Sequence, residues 1–360
     1  MKNATSFTQA LHTAWQKKGL ISALLLPLSW VLRAIIARKR LRYQRHPELT
    51  HQSRLPVVIV GNIYVGGTGK TPVVIALAQA LQARGWQPGV ISRGYGATVG
   101  KQARTGQGQL DPALFGDEPA LIAQATQAPV AVHPKRVLAL QQLQQAYPQI
   151  DVVIADDGLQ HLALGRDLEI VVQDGRGIGN GRVLPAGPLR EPASRLDYID
   201  ILITNLQPGE TLAHAYQAQP ERLSMHLAPV RVEQLSTGIS VNWTTWLSDH
   251  SQQTFSAVAA IGQPQRFFSM LSAAGLHLNQ TVALPDHDAY ENSPFSALSD
   301  PIILITGKDA VKCRRFNDSR LWVVYAEPVF SDPDWLERCH QRLTVIAAQK
   351  SAMADKTPRL

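Results

Sequence analysis

Gly66, Gly67, Thr68, Gly69, Lys70 and Thr71 form one unbroken run, with a β-branched segment at residues 57–60 before it and apolar residues at helical spacing from Val73 onward. Glycines let the backbone curl until several N–H groups converge, and a following helix N-terminus adds its dipole, so the run is suited to cradle phosphate. In such a cradle Lys70 reaches the β- and γ-phosphates and the Thr71 hydroxyl holds Mg²⁺. Pro72 falls in the first helical turn, where its missing N–H costs little. The strict pattern G-x-x-x-x-G-K-[ST] is broken at one place, because Tyr64 occupies the position of the first glycine.

Carboxylates recur at the ends of other apolar runs. "IDVVIADDGLQH" closes a buried segment with Asp156 and Asp157. An acid at a strand end beside a phosphate loop is where a Mg²⁺-nucleotide finds its second anchor, which makes Asp156 the candidate metal ligand. Two adjacent buried acids repel unless a cation lies between them, although Asp157 also suits a cap for the turn at Gly158. "FGDEPAL" sets Asp117 and Glu118 just before a helix, where Asp117 fits an N-cap as well as it fits a carboxylate that deprotonates an attacking hydroxyl. "LPDHDAY" places His287 between Asp286 and Asp288; one histidine among eleven is more often a surface residue than a base. "SRGYG", "GPLREP" and "HPKR" combine Arg with Gly or Pro in loops, a pattern suited to anionic oxygens and equally to solvated surface.

The elements that must position these residues alternate. Apolar runs at 57–60, 89–92, 129–132, 151–157, 168–174 and 200–205 are separated by helical patterns at 73–84, 118–127 and 136–146. This predicts an α/β fold of the P-loop NTPase type, a mostly parallel sheet with helices on both faces and ligands at the carboxyl ends of the strands. Residues 206–250 read as polar and irregular. A second alternation then predicts a smaller α/β domain, giving boundaries of 1–50, 51–230 and 231–350.

The 360 residues are 45% hydrophobic and 18% charged, an ordinary globular composition with room for two cores. Cys313 and Cys339 have no metal-ligand spacing and read as free thiols in a reducing compartment. The net charge of +7 is concentrated: residues 1–47 hold nine Lys or Arg and no acid, leaving 26 basic and 28 acidic residues elsewhere. That distribution argues against a nucleic-acid surface on the folded body. The basic residues flank an apolar run at 20–37, interrupted by Pro27 and Arg33, which suits a membrane-associated helix lying in the interface, with a span and a soluble packed helix as alternatives. A cleavable signal is disfavoured, because no small-x-small site follows and the basic cluster after the run keeps the body cytoplasmic.

Taken in order, "VGNIYVGGTGKTP", "ISRGYG", "GDEP", "ADDGLQH", "PAGPLREP", "PDH" and "KDAVK" closely resemble the tetraacyldisaccharide 4'-kinase family, the lipid A 4'-kinases, from about residue 57 to residue 312. The resemblance implies transfer of the γ-phosphate of ATP to the 4'-hydroxyl of a tetraacylated glucosamine disaccharide 1-phosphate, at the cytoplasmic face of the bacterial inner membrane. It implies that Gly66 to Thr71 bind ATP, that Lys70, Asp157, Asp117 and His287 are catalytic, and that Asp117 and His287 act as a dyad on the hydroxyl. It also implies Mg²⁺ on Thr71 and Asp156, and places Arg190 and Glu191 near the reacting groups. Gly307 stands where the family tends to have Glu, and "HLALGRD" lacks the paired arginines often found there. A membrane-recruited regulatory P-loop ATPase is the alternative; it carries a lysine before the paired glycines, where this chain has Val65. "TGKDA" does not give the guanine-recognising spacing of a GTPase, and no obligate protein partner is implied.

Overall fold

Branching at Cβ stiffens χ1 and suits a pleated, covered surface, and the Val- and Ile-rich runs accordingly become strands. The computed structural model describes residues 15–97, 100–217, 220–286 and 288–355. The chain divides into two compact units, the first made of described residues up to 205, 211–224 and from 331 onward, the second of 206–210 and 225–330. The helix Trp335–Asp355 therefore joins the first unit, unlike the expected smaller domain at 231–350. Specific bonds hold it there: Trp86 Nε1 donates to His340 Nδ1 at 2.9 Å, and Lys350 pairs with Asp167 at 2.7 Å.

In the first unit the strands are β1 (Val57–Gly61), β2 (Pro88–Ser92), β3 (Arg104–Gly106), β4 (Val130–Val132), β5 (Val152–Asp156), β6 (Leu168–Asp174) and β7 (Ile201–Asn205), ordered β3-β4-β2-β5-β1-β6-β7. Neighbours are parallel except β3 with β4. Every residue of β1, β2, β5 and β6 is buried, the pattern of strands covered on both faces. Because β1 lies between β5 and β6, the loops leaving the carboxyl ends of these three strands converge. Gly61 permits that convergence, since a Cβ there would lie 2.6 Å from Leu159 Cβ.

Among the helices of this unit are α1 (Leu26–Arg45), α2 (Lys70–Gln82), α3 (Asp117–Thr126) and α4 (Arg136–Ala146). Helix α2 buries Val73, Val74, Leu77, Ala78 and Leu81, the three- and four-residue spacing of one face. The apolar run at 20–37 is broken: a short helix, Leu20–Leu24, ends before α1 starts, and Pro27 sits in the first turn of α1. The packed side of this segment is mixed, with Leu32 and Ile36 against the apolar core and two serines beside them. Ser22 and Ser29 are buried, with Ser22 Oγ donating to Ala186 O and Ser29 Oγ to Val183 O at 2.8 Å. Leu20, Leu24, Leu28, Val31 and Ile35 form the opposite, exposed stripe. Among the described residues, no helix is long and apolar enough to cross a membrane.

The strands of the second unit are β8 (Glu221–Gln234, from residue 225), β9 (Ser240–Asn242), β10 (Phe255–Ala259), β11 (Leu278–Ala283), β12 (Ile302–Thr306) and β13 (Leu321–Phe330), ordered β11-β10-β12-β13-β8-β9. The first four of that order are parallel and the last two pairings antiparallel. Strand β8 falls within the stretch expected to be irregular. Its alternation is blurred by Pro229 and by Arg231, Glu233 and Gln234 on a half-exposed surface. Trp243, Trp246, Phe255, Phe267 and Phe268 fill the core against this sheet.

Candidate active site

The phosphate loop leaves β1 and re-enters regular structure at Lys70. Gly66 and Gly69 adopt φ of 99° and 95°, a left-handed region that disfavours side chains, and Gly69 caps α2. Below the loop, the buried Asn62 donates from Nδ2 to Gly66 O at 3.1 Å and Thr68 Oγ1 at 3.2 Å, while Asn205 Nδ2 donates to Thr68 O at 3.2 Å. Thr68 is thus turned into the protein. Lys70 and Thr71 open α2, and from Val73 onward the helix buries an apolar face in the core.

Strands β1 and β5 run in parallel register, Val60 beside Asp156, so the two acids emerge alongside the loop. Asp157 takes φ of 51° in the turn that begins there. Its carboxylate meets Lys70 Nζ at 3.5 Å and Arg190 Nη1 at 2.9 and 3.0 Å. Burial works to raise the Asp157 pKa, but Lys70 and then Arg190 prevail and hold it below the usual carboxylate range. Asp156 is in the opposite state. Ser92 Oγ donates to its Oδ2 at 3.0 Å, and its Oδ1 is buried with no hydrogen-bond partner among the described residues. Burial, followed by the Glu118 carboxylate, pushes Asp156 up to about 6 against the pull of Lys70. Adjacent carboxylates, one ionised and one with an oxygen that no donor reaches among the described residues, suit a cation site.

The donor chemistry fits Mg²⁺. Thr71 and Asp156 are hard oxygen donors at the mouth of a phosphate cradle, and Mg²⁺ takes one or two protein oxygens, keeping the rest of its shell for phosphate and water. Among the described residues there is no cluster of three or more His, Cys, Asp or Glu, so the site offers no dedicated all-protein cage.

Arg136, from the "HPKR" loop, does not face outward. It is buried at 1% exposure, donating from Nη2 to the carbonyls of Asp156 and Asp157 at 3.3 Å each and from Nη1 to His133 O at 3.0 Å. Burial pulls its pKa down to about 10, still leaving it charged at neutral pH. His161 of the "DDGLQH" motif is driven down to about 4 by burial, then by Arg136 and Lys39, and is neutral across the physiological range.

Asp117 is the first residue of α3; the cap is Gly116, with φ of 93° and no side-chain cap bond, so Asp117 is not the N-cap. A Cβ on Gly116 would lie 2.7 Å from Tyr95 O, which brings the "SRGYG" and "GDEP" loops together. Glu191 turns inward: at 4% exposure it accepts from Gln160 Nε2 at 2.8 Å and lies 3.8 Å from Arg195 Nε. His287 lies outside the described residues. Two residues that sequence patterns did not single out complete the loop's surroundings. Asn62 is one; the other is Arg176, whose Nη2 donates to Gly67 O at 3.3 Å and whose guanidinium lies 4.3 Å from the Tyr64 ring. Its signal was an Arg in a glycine-rich turn directly after an apolar strand, "QDGRG".

A strand, a compact glycine loop, a lysine on a carboxylate and a second acid with a spare oxygen are the parts of a phosphoryl-transfer site. Residues 21–344 match the LpxK family, tetraacyldisaccharide-1-P 4'-kinase. The tetraacyldisaccharide 4'-kinase of Bordetella petrii is 52% identical over 96% of this chain and 100% of its own length, and that of Herminiimonas arsenicoxydans is 46% identical over 86% and 88%. A crystal structure of LpxK from Aquifex aeolicus in complex with ATP superposes with a TM-score of 0.74 at 25% identity, covering 91% of this chain and 99% of that one. With the family match running from residue 21 to residue 344 and a relative 52% identical over nearly the whole length, this chain belongs to the tetraacyldisaccharide-1-P 4'-kinase family.

Proposed function

We propose that the cluster at the carboxyl ends of β1 and β5 transfers the γ-phosphate of ATP to the 4'-hydroxyl of a tetraacylated glucosamine disaccharide 1-phosphate, a step of lipid A biosynthesis. The observation that carries this is the contact set around Asp157: Lys70 and Arg190 on its carboxylate, next to Asp156, whose Oδ1 has no partner among the described residues. The loop N–H groups and Lys70 hold the transferred phosphate and meet the charge that develops on it. Asp157 orients Lys70 and Arg190 toward the reacting groups. Mg²⁺, which Thr71 and Asp156 would hold, neutralises phosphate charge when bound. Asp117, with His287, is assigned to orient the acceptor hydroxyl and take its proton. Arg176 keeps the loop closed from its side, and Glu191 acts by fixing Gln160 rather than by touching nucleotide.

The test is ATP consumption with and without the disaccharide acceptor in detergent micelles, with the lipid product identified. Turnover is expected only with acceptor; acceptor-independent turnover supports a regulatory ATPase instead. In the same assay Asp117→Ala and His287→Ala are each expected to lower kcat by about 10²-fold or more, and the double variant to add little. Multiplicative losses would mean separate roles.

The same proposal places the enzyme at the cytoplasmic face of the inner membrane. Supporting it, the segment 20–45 turns serines inward and an apolar stripe outward, with exposed Arg33, Arg38, Arg42 and Arg45 alongside. Apolar burial and attraction to anionic headgroups then add, each basic residue contributing at most about 1 kcal/mol. Replacing these four arginines by Gln is expected to weaken binding to anionic vesicles in a salt-dependent manner. Lys39 is spared because it donates to Gln160 O at 3.1 Å. If high salt releases neither wild type nor variant, attachment is by apolar insertion alone.

A further inference from the structure

Tyr64 stands where a phosphate loop ordinarily has its first glycine, and it is 1% exposed. A tyrosine this deeply buried fixes what a glycine would leave free. Its backbone bridges to Leu189, the next amide, Val65 N, donates to Pro188 O at 2.9 Å, and its hydroxyl accepts from Gln16 Nε2 at 2.9 Å. The ring carries the Arg176 guanidinium at 4.3 Å. Arg176 is in turn fixed by the buried Asp174, with Nε at 2.9 and 3.1 Å from the two carboxylate oxygens and Nη2 at 2.6 Å from Oδ2. The same Nη2 also reaches the loop, donating to Gly67 O at 3.3 Å.

Gly66 and Gly67 are the part of the loop with least restraint of its own: a Cβ on either would meet nothing within 4 Å. Glycine loses more conformational freedom on ordering than any other residue, so a pair in open space samples many loop shapes unless a neighbour holds it. A donor on the Gly67 carbonyl selects one orientation of the 67–68 peptide and therefore of the N–H that follows. A site whose donors are aimed in advance binds and stabilises charge without reorganising.

We propose that Tyr64 and Arg176 are positioning residues of the phosphate loop, a ring-and-guanidinium buttress that replaces the missing first glycine and sets the direction of the loop's amides. The proposal rests on the phosphate-loop assignment made above. Arg176→Met removes both the stack and the carbonyl bond. Arg176→Lys keeps a charge but loses the planar fork, and Tyr64→Leu removes the ring from beneath the cation.

The experiment measures equilibrium affinity for a fluorescent ATP analogue without acceptor, then kcat and both KM values, for each variant, with thermal denaturation as the fold control. Arg176→Met is expected to weaken nucleotide affinity roughly tenfold or more, as befits loss of a charge-assisted bond and a cation–π contact, with KM for the lipid unchanged. Arg176→Lys is expected to recover part of the loss, and Tyr64→Leu to shift nucleotide affinity in the same direction. Unchanged nucleotide affinity in a folded Arg176→Met, or equal increases in both KM values, overturns the proposal. If wild type shows no acceptor-dependent turnover, the kinase assignment fails, while the affinity comparison still decides the role of the buttress.

Discussion

Replacing Lys70 by alanine is expected to lower kcat by roughly 10³-fold or more while the protein stays folded. The side chain is only 10% exposed and ends against Asp157, so its charge acts at short range in a poorly screened site. The fold does not depend on it, because α2 is held by Val73, Val74, Leu77 and Leu81. Loss of the cation has a second effect. Lys70 holds down the pKa of both Asp156 and Asp157, so without it both carboxyls become weaker acids. The acidic limb of the residual pH–rate profile is therefore expected to move to higher pH. Lys70→Arg keeps the charge but not the compact ammonium, and partial activity at best is expected from it. Near-normal turnover of a folded Lys70→Ala protein would remove the phosphate-loop assignment.

Asp156→Asn is expected to cost activity on the order of 10² to 10³-fold and to make the nucleotide-free protein more stable. The folded-state pKa of Asp156 is raised to about 6 from 3.8, so the native state binds this proton more tightly than the unfolded chain does. Stability accordingly falls as pH rises between those values, and the full cost is present above about pH 6. Asparagine carries no charge and escapes that cost. Urea denaturation in chelator should show the variant more stable at pH 8 and equal to wild type below about pH 4. In the kinetic assay, raising Mg²⁺ should recover part of the lost rate. Equal stability at pH 8 would mean that the Asp156 carboxylate is already compensated without a metal.

Both predictions concern residues that the sequence announces, and the reason is local. Asp156 ends a buried strand and Lys70 opens the helix after the glycine loop that leaves another, so chain direction alone delivers both to the carboxyl edge. Arg136 and Arg176 were harder to place because they act on backbone carbonyls, 20 and 109 positions away, that only the strand order brings near. No side-chain pattern encodes a carbonyl. Asp117 left a cap and a catalytic role equally open; the left-handed Gly116 takes the cap. Strand β8 was hidden because a half-exposed strand with Pro229 in it lacks clean alternation. The apolar run at 20–37 gave the right segment but could not say which side packs, since hydrophobicity alone turns leucine inward, and here Ser22 and Ser29 turn inward beside Leu32 and Ile36 while five other apolar residues face out.

That serine seat separates the adhesion of the segment from its greasiness. Two hydroxyl–carbonyl bonds, with Asn180 Nδ2 and Arg182 Nη1 each donating to Ser22 Oγ at 2.9 Å, fasten the segment, together with Leu32 and Ile36 on the core, and the outward leucines contribute nothing to that grip. The outer stripe is consequently free to be recoded. Leu20, Leu24, Leu28, Val31 and Ile35 can be exchanged for Gln, Glu or Lys without loosening the seat, which offers a detergent-free form for biophysical work. Recoding Ser22 or Ser29 toward leucine, the change that ordinary core design recommends, would instead take one donor from the carbonyl of Ala186 or Val183, and at Ser22 also the acceptor of Arg182 Nη1, and so work against folding.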